Sequence, residues 1–215
     1  MNLLFDLDGT LTNPEQGITG CILHALEALG QSPLPERHEL RWCIGPPLHE
    51  SFRALLEPSD EANVQRGIEL YRERFTDIGI FENEIYEEVP DGLTALRKSG
   101  HRLWVATSKP WVYARRIIEH FDLSDHFQVV YGSELSGVNT RKADLIRGIL
   151  RDENLDPAST LMIGDRSQDI AGGLANGLQT IGVTWGFGSE GELRDAGAHH
   201  IVNSMSAIAT LVETT

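Results

Sequence analysis

Beyond Pro90 the chain alternates short apolar runs with longer amphipathic stretches, and that alternation constrains the fold more than any other feature. Residues 103–106, 128–131, 161–163 and 180–183 read as strands, with a further one near Ile201 and Val202. Between them the apolar residues switch to helical spacing. Residues 93–99 form one such stretch up to a stop at Gly100, and another begins near Pro110 with Ile117 and Ile118 on its apolar face. Residues 142–153 carry Leu145, Ile146, Ile149 and Leu150 on one stripe; 170–175, a last short helix and a terminal helix from about Ser204 complete the series. Strands separated by helices fold as right-handed βαβ units onto a parallel sheet covered on both faces. Leu3-Leu4-Phe5 supplies an opening strand. The expected class is α/β: a doubly wound, Rossmann-like parallel sheet whose ligands sit outside the carboxyl ends of the strands.

The stretch between the first strand and Pro90 breaks this pattern. Ile18, Ile22, Ala25, Leu26 and Leu29 recur at helical spacing with Gly30 as a stop, and Val64, Ile68, Tyr71 and Phe75 do so again. Consecutive prolines keep Ile44-Gly45-Pro46-Pro47-Leu48 out of a helix. Residues 14–83 therefore read as an inserted α-helical domain, and 1–13 with 84–215 as the α/β core. Pro90-Asp91-Gly92 reads as the turn that closes the insert, and Glu82, Glu84, Glu87 and Glu88 as a solvated return linker. The 32 acidic residues outnumber 18 Lys and Arg, giving a net charge of −14. Such a chain repels polyanions, which argues against nucleic-acid polymers and anionic membranes as partners. No run approaches the ~20 apolar residues of a membrane span, and Cys21 and Cys43 lack any ligand or redox spacing. A cytoplasmic protein is expected.

Four strand ends carry chemistry. Asp6 and Asp8, two apart in extended chain, project together after the first strand, with Gly9 and Thr10 behind them. A lone Asp-x-Asp is ordinarily an Asx-rich turn; two adjacent carboxylates otherwise call for a cation or a shared proton. Asp165 follows the 161–163 run, and Asp169 stands near the start of the next helix, where it also suits the macrodipole. Four carboxylates at one sheet edge, with no His or Cys nearby, form the hard-oxygen set that Mg²⁺ prefers. Thr107, Ser108 and Lys109 precede a helix N-terminus, a place for an anion or a simple cap. Arg141-Lys142 opens a helix, where a cation opposes the macrodipole and must be used elsewhere or solvated.

Paired Asp, a hydroxyl, a Lys and a Gly-Asp pair, in that order along the whole chain, resemble the motifs of the haloacid dehalogenase superfamily of phosphotransferases. The helical insert after the first motif is similar to that superfamily's cap domain, and cap and core together resemble its phosphoglycolate phosphatase branch. Ile44-Gly45-Pro46-Pro47-Leu48 and Tyr131-Gly132-Ser133-Glu134-Leu135 are similar to bacterial members labelled 5′-nucleotidases. The resemblance implies a Mg²⁺-dependent phosphatase that hydrolyses small phosphomonoesters through an aspartyl phosphate. Under it Asp6 is nucleophile and metal ligand, and Asp8 is general acid and base with its carbonyl on the metal. Thr107, with Ser108, binds the phosphoryl group; Lys142 neutralises it; Asp165 and Asp169 complete the metal site. Ala143-Asp144 after Lys142 departs from the Pro-x-Pro common among relatives, so Lys109 stands as a rival for the neutralising role.

A sugar-phosphate mutase shares these core residues and stays open, and so does a catalytically silent binding fold, against which the full set of charged roles argues. Gly186-Phe187-Gly188-Ser189-Glu190-Gly191 matches a dinucleotide fingerprint, but only 24 residues follow it, too few for the βαβ unit it needs; the glycines read instead as a mobile loop near the site. His199 and His200, adjacent on a strand, face opposite ways and read as surface or packing residues. Arg53, Arg72 and Arg74 are either substrate contacts or parts of solvated helix faces.

Overall fold

In the computed structural model, which describes residues 1–136 and 138–214, the chain divides into two compact units. One is the inserted stretch Asn13–Glu84; the other joins residues 1–12 to the chain from Ile85 onward.

The inserted unit is helical: α1 (Glu15–Ala28), α2 (Leu48–Leu55) and α3 (Glu61–Arg74), the last prolonged by a wider turn over Phe75–Gly79. Gly30, at φ 72°, ends α1 in the left-handed conformation that its missing Cβ permits. In the interior Tyr71 stacks on Phe75 with ring centroids 5.2 Å apart and meets Phe52 edge to face at 6.4 Å. Gly17 and Gly79 let α1 and the wide turn touch backbone to backbone, since a Cβ on Gly17 would overlap the Gly79 carbonyl. Arg74 donates to both carboxylate oxygens of Glu82, at 2.7 and 2.9 Å, and Arg53 pairs with Glu61 at 2.7 Å. Both arginines are thus engaged in ion pairs inside the unit, and Glu82 is a structural partner where a solvated linker was expected.

The other unit holds a six-stranded sheet of β1 (Asn2–Phe5), β2 (Arg102–Pro110), β3 (Val130–Ser133), β4 (Thr160–Gly164), β5 (Gln179–Val183) and β6 (His200–Val202). Its spatial order is β3-β2-β1-β4-β5-β6, and every pair is parallel. Because β1 and β4 lie side by side while their crossovers run to opposite sides, a crevice opens at their carboxyl ends. The connecting helices are α4 (Val89–Lys98), α5 (Trp111–His120), α6 (Lys142–Asp152), α7 (Ser167–Leu174), α8 (Glu190–Asp195) and α9 (Met205–Thr214). Leu4, Trp104, Ala106 and Met162 on one sheet face pack with Leu145, Ile146 and Ile149 of α6. Phe5, on the opposite face, meets Phe127 edge to face at 6.4 Å. Strands covered on both sides are apolar throughout, which is why they read as short continuous runs. No described helix is long and apolar enough to cross a membrane.

Four boundaries differ from the sequence reading. Pro90-Asp91-Gly92 lies within the first turns of α4, where a proline lacks no needed N–H, so it is not a turn. Glu88 just before it accepts from the Met205 amide at 3.0 Å, a second acid of the supposed linker with a structural partner. Strand β2 runs four residues past Ala106 through Thr107, Ser108, Lys109 and Pro110, polar residues that carry no strand signal. Strand β3 is shifted to Val130–Ser133 because it pairs with that extension, and α7 begins at Ser167 rather than Ile170.

Gly17→Ala is expected to destabilise the helical unit by about 1–3 kcal/mol, because the added methyl meets backbone that cannot yield locally. A lowered urea midpoint in far-ultraviolet circular dichroism checks this; an unchanged midpoint contradicts the close contact.

Candidate active site

The site is built where β1 ends. The Asp6 amide still donates to Ile163 O of β4 at 2.9 Å, so the sheet itself fixes the first carboxylate. The chain then folds back in a tight turn, with Leu11 and Thr12 amides both donating to Leu7 O and Gly9 at φ 86°. Asp6, Asp8, Asp165 and Asp169 are all buried.

Lys142 opens α6, yet its ammonium is turned inward. It donates to Asp6 Oδ1 at 2.8 Å, to Ala106 O at 2.8 Å and pairs with Asp169 Oδ1 at 2.7 Å, one acceptor for each of its three protons. Burial works against its charge, but Asp169 and Asp6 outweigh burial and hold its pKa above the ordinary range. This resolves why a cation stands at a helix start: it serves the carboxylates, not the helix. Lys109, the rival cation, instead donates to Asp8 Oδ2 at 2.5 Å.

Asp165 and Asp169 come from the end of β4 and the first turn of α7. Asp169 Oδ2 accepts from the Arg166 amide at 3.1 Å. Asp165 accepts from the Thr10 hydroxyl at 3.3 Å and from the Phe187 amide at 2.8 Å. Burial, followed by the charges of Asp169 and Asp6, pushes the Asp165 carboxyl up to about 8. Burial likewise raises Asp169 against the pull of Lys142, and raises Asp8 against that of Lys109.

Asp6, Asp165 and Asp169 each offer an oxygen within 4.8 Å of the others. With Asp8 included, four carboxylates face two ammonium groups, leaving two excess negative charges when all are ionised. An all-oxygen donor set with a surplus of two charges fits a hard divalent cation such as Mg²⁺.

The other two expected site residues lie apart from this cluster's hydrogen bonds as described. Thr107 Oγ1 accepts from the Lys109 amide at 3.2 Å, and the Ser108 carbonyl accepts from the Ser133 hydroxyl at 2.8 Å. Both lie at the end of β2, shortly before α5 starts at Trp111. Sequence reasoning put the glycines of 186–191 in a loop near the site but missed what they pack against. Gly186 and Gly188 press on Asp165 so closely that a Cβ on either would overlap it, and the Trp185 indole donates to Thr10 O at 3.0 Å. The glycine-rich string is therefore packing around a carboxylate, and Ser189 within it caps α8 by accepting from Glu192 N. A strand end followed by closely spaced glycines was the available signal.

Residues 3–183 match the family model described as haloacid dehalogenase-like hydrolase. The chain belongs to this family. Among its relatives is a protein named 5′-nucleotidase from Pseudomonas aeruginosa, 45% identical over 99% of this chain and 95% of its own length. A protein named tyrosine-protein kinase PtkA from Mycobacterium tuberculosis is 39% identical over 86% of this chain, which spans only 62% of that relative. A crystal structure of a predicted phosphatase from Clostridium acetobutylicum superposes with a TM-score of 0.94 at 39% identity, covering 100% of this chain and 98% of that one.

Family membership makes the electrostatics of the metal-free site testable. The folded Asp165 keeps a proton, up to about pH 8, that the unfolded chain releases near 3.8. Stability of the metal-free protein therefore falls as pH rises through that window. A divalent cation held by these carboxylates would favour their ionised form, so MgCl₂ is expected to raise the melting temperature more near pH 8 than near pH 6. Asp165→Asn should shrink that difference to the part due to Asp169, whose carboxyl burial pushes up to about 6; a magnesium shift of wild type independent of pH contradicts it.

Proposed function

We propose that this hydrolase is a Mg²⁺-dependent phosphatase of small phosphomonoesters, working through an aspartyl phosphate on Asp6. The observation that carries the reading is the buried carboxylate cluster at the crevice between β1 and β4, bridged by one satisfied lysine. A carboxylate approaching a phosphate dianion is repelled: like charges ~4 Å apart cost about 4 kcal/mol at an effective dielectric of 20. At ~1.4 kcal/mol per tenfold in rate, that alone slows attack by nearly three orders of magnitude.

Asp6, Asp165 and Asp169, with the Asp8 carbonyl, would hold the cation. When bound, it supplies positive charge to the phosphoryl oxygens. Lys142 holds the Asp6 carboxylate plane and adds a second positive charge at the point of attack. Thr107 and Ser108 are assigned to the transferring phosphoryl group. Asp6 attacks phosphorus, and the electron pair of the breaking P–O bond goes to the leaving oxygen, which takes a proton from Asp8. Asp8, now a carboxylate, accepts a proton from the water that attacks the aspartyl phosphate; phosphate leaves and Asp6 is regenerated. Burial of Asp8 favours the protonated form that the first step needs.

The residues of this cluster recognise phosphate and metal, so substrate selection is assigned to the helical unit, residues 14–83, as a cap. Phosphoglycolate-like acids and nucleoside 5′-monophosphates are the proposed substrate classes, and the likeness to a relative named 5′-nucleotidase favours the second.

A phosphate-release screen over these esters, with MgCl₂ and with EDTA, tests the reading. Turnover should require the metal. Asp6→Asn should lower kcat at least about 10³-fold, since it removes the nucleophile itself. A single turnover of wild type should leave a phosphoryl group on the peptide carrying Asp6. Undiminished turnover in EDTA or in Asp6→Asn overturns the reading.

A further inference from the structure

The phosphatase reading gives Asp8 two opposite proton duties without saying what orients its carboxyl. Its two oxygens are held differently. Oδ2 takes the Lys109 ammonium at 2.5 Å, and both side chains are at least nine-tenths buried. Oδ1 is buried as well and has no hydrogen-bond partner among the described residues. Leaving such an oxygen unsatisfied is costly, so it marks a position meant for an atom that arrives later.

The backbone explains how Lys109 reaches Asp8. Between Ala106↔Tyr131 and Pro110↔Ser133 the pairing of β2 with β3 shifts register, four residues on one strand spanning two on the other. Such a bulge re-aims a side chain. This one is fastened on both sides: the Ser133 hydroxyl donates to Ser108 O at 2.8 Å, and the Lys109 amide donates to Thr107 Oγ1 at 3.2 Å. Gly132 makes room for it, because a Cβ there would overlap the Lys109 carbonyl.

We propose that Lys109 is a positioning residue: by tying Oδ2 it fixes the Asp8 carboxyl so that Oδ1 alone exchanges the proton with the leaving group and then with water. As the P–O bond breaks, its electron pair passes to the leaving oxygen, and the Oδ1–H proton goes to that oxygen. In the second half the proton returns from attacking water to Oδ1. Lys109 itself gains and loses nothing. The inference rests on the phosphatase reading and assigns Lys109 a different task from the phosphate-neutralising one first weighed for it.

The test compares an alkyl phosphate, whose leaving alkoxide needs a proton, with nitrophenyl phosphate, whose leaving group departs without one. Positioned proton transfer contributes about 10²–10⁴-fold. Lys109→Met should therefore lower the ratio of alkyl to nitrophenyl kcat/KM, which reads formation of the aspartyl phosphate and not its shared hydrolysis, by about 30-fold or more. Asp8→Asn should lower the ratio likewise, and adding Lys109→Met to it should lower the ratio no further. Gly132→Ala, which displaces the bulge while keeping the lysine, provides a second variant with the same expected direction, should Lys109→Met fail to fold. An unchanged ratio in the folded variant overturns the inference, as does an equal loss on both esters with a raised KM, the mark of a phosphate ligand. Nitrophenyl phosphate turnover by wild type, lost in Asp6→Asn, checks the phosphatase reading separately; its absence overturns both.

Discussion

One ammonium group organises the site. Lys142 meets a carboxylate from the end of β1, another from the start of α7 and a carbonyl from β2, so three elements converge on three protons. Removing either carboxylate leaves one of the buried ammonium protons without its acceptor, and removing the lysine leaves two buried like charges side by side. The arrangement is possible because α6 begins where it does, against the sheet face filled by Leu145, Ile146 and Ile149. Hydrophobic packing sets the helix in place, and the first residue of that helix then sets the charges.

Around that centre the backbone comes unusually close to side chains. Gly9, Gly186 and Gly188 crowd Asp165, and Gly164 crowds Asp169, at distances no Cβ would tolerate. Amide groups rather than bulk water solvate the carboxylates, through Phe187 N and Arg166 N. Fixed dipoles of this kind stabilise charge without reorganising when it appears. The excess of two negative charges they leave is the electrostatic basis for a divalent partner.

Much of this was legible in the sequence because the sheet buries both faces: each strand of the core announces itself as an apolar run, and its polar terminus marks the crevice. Asp6, Asp8 and Asp165 stood out for that reason, and Lys142 because a cation at a helix start opposes the macrodipole. Thr107, Ser108 and Lys109 stood out as site residues but not as strand, because they extend β2 only through pairing with β3, and no local periodicity records that pairing. The double use of Glu82 and Glu88 was hidden for a related reason, since an ion pair to Arg74 and an amide contact to Met205 are set by tertiary position. The glycines after β5 were visible as a pattern and read as a mobile loop near the site, but the pattern does not record that their neighbour is a carboxylate of the same chain.

The chain's route has an evolutionary consequence. It departs from the sheet unit once, after Thr12, and rejoins it once, at Ile85, and none of the ionised groups gathered around Lys142 and Lys109 lies on that excursion. A lineage could therefore exchange the whole detour, by recombination at two points of the gene flanking residues 13–84, and under the proposed function inherit a new clientele with its reaction machinery intact. Diversity of substrates on one unchanging chemistry is what such wiring makes accessible.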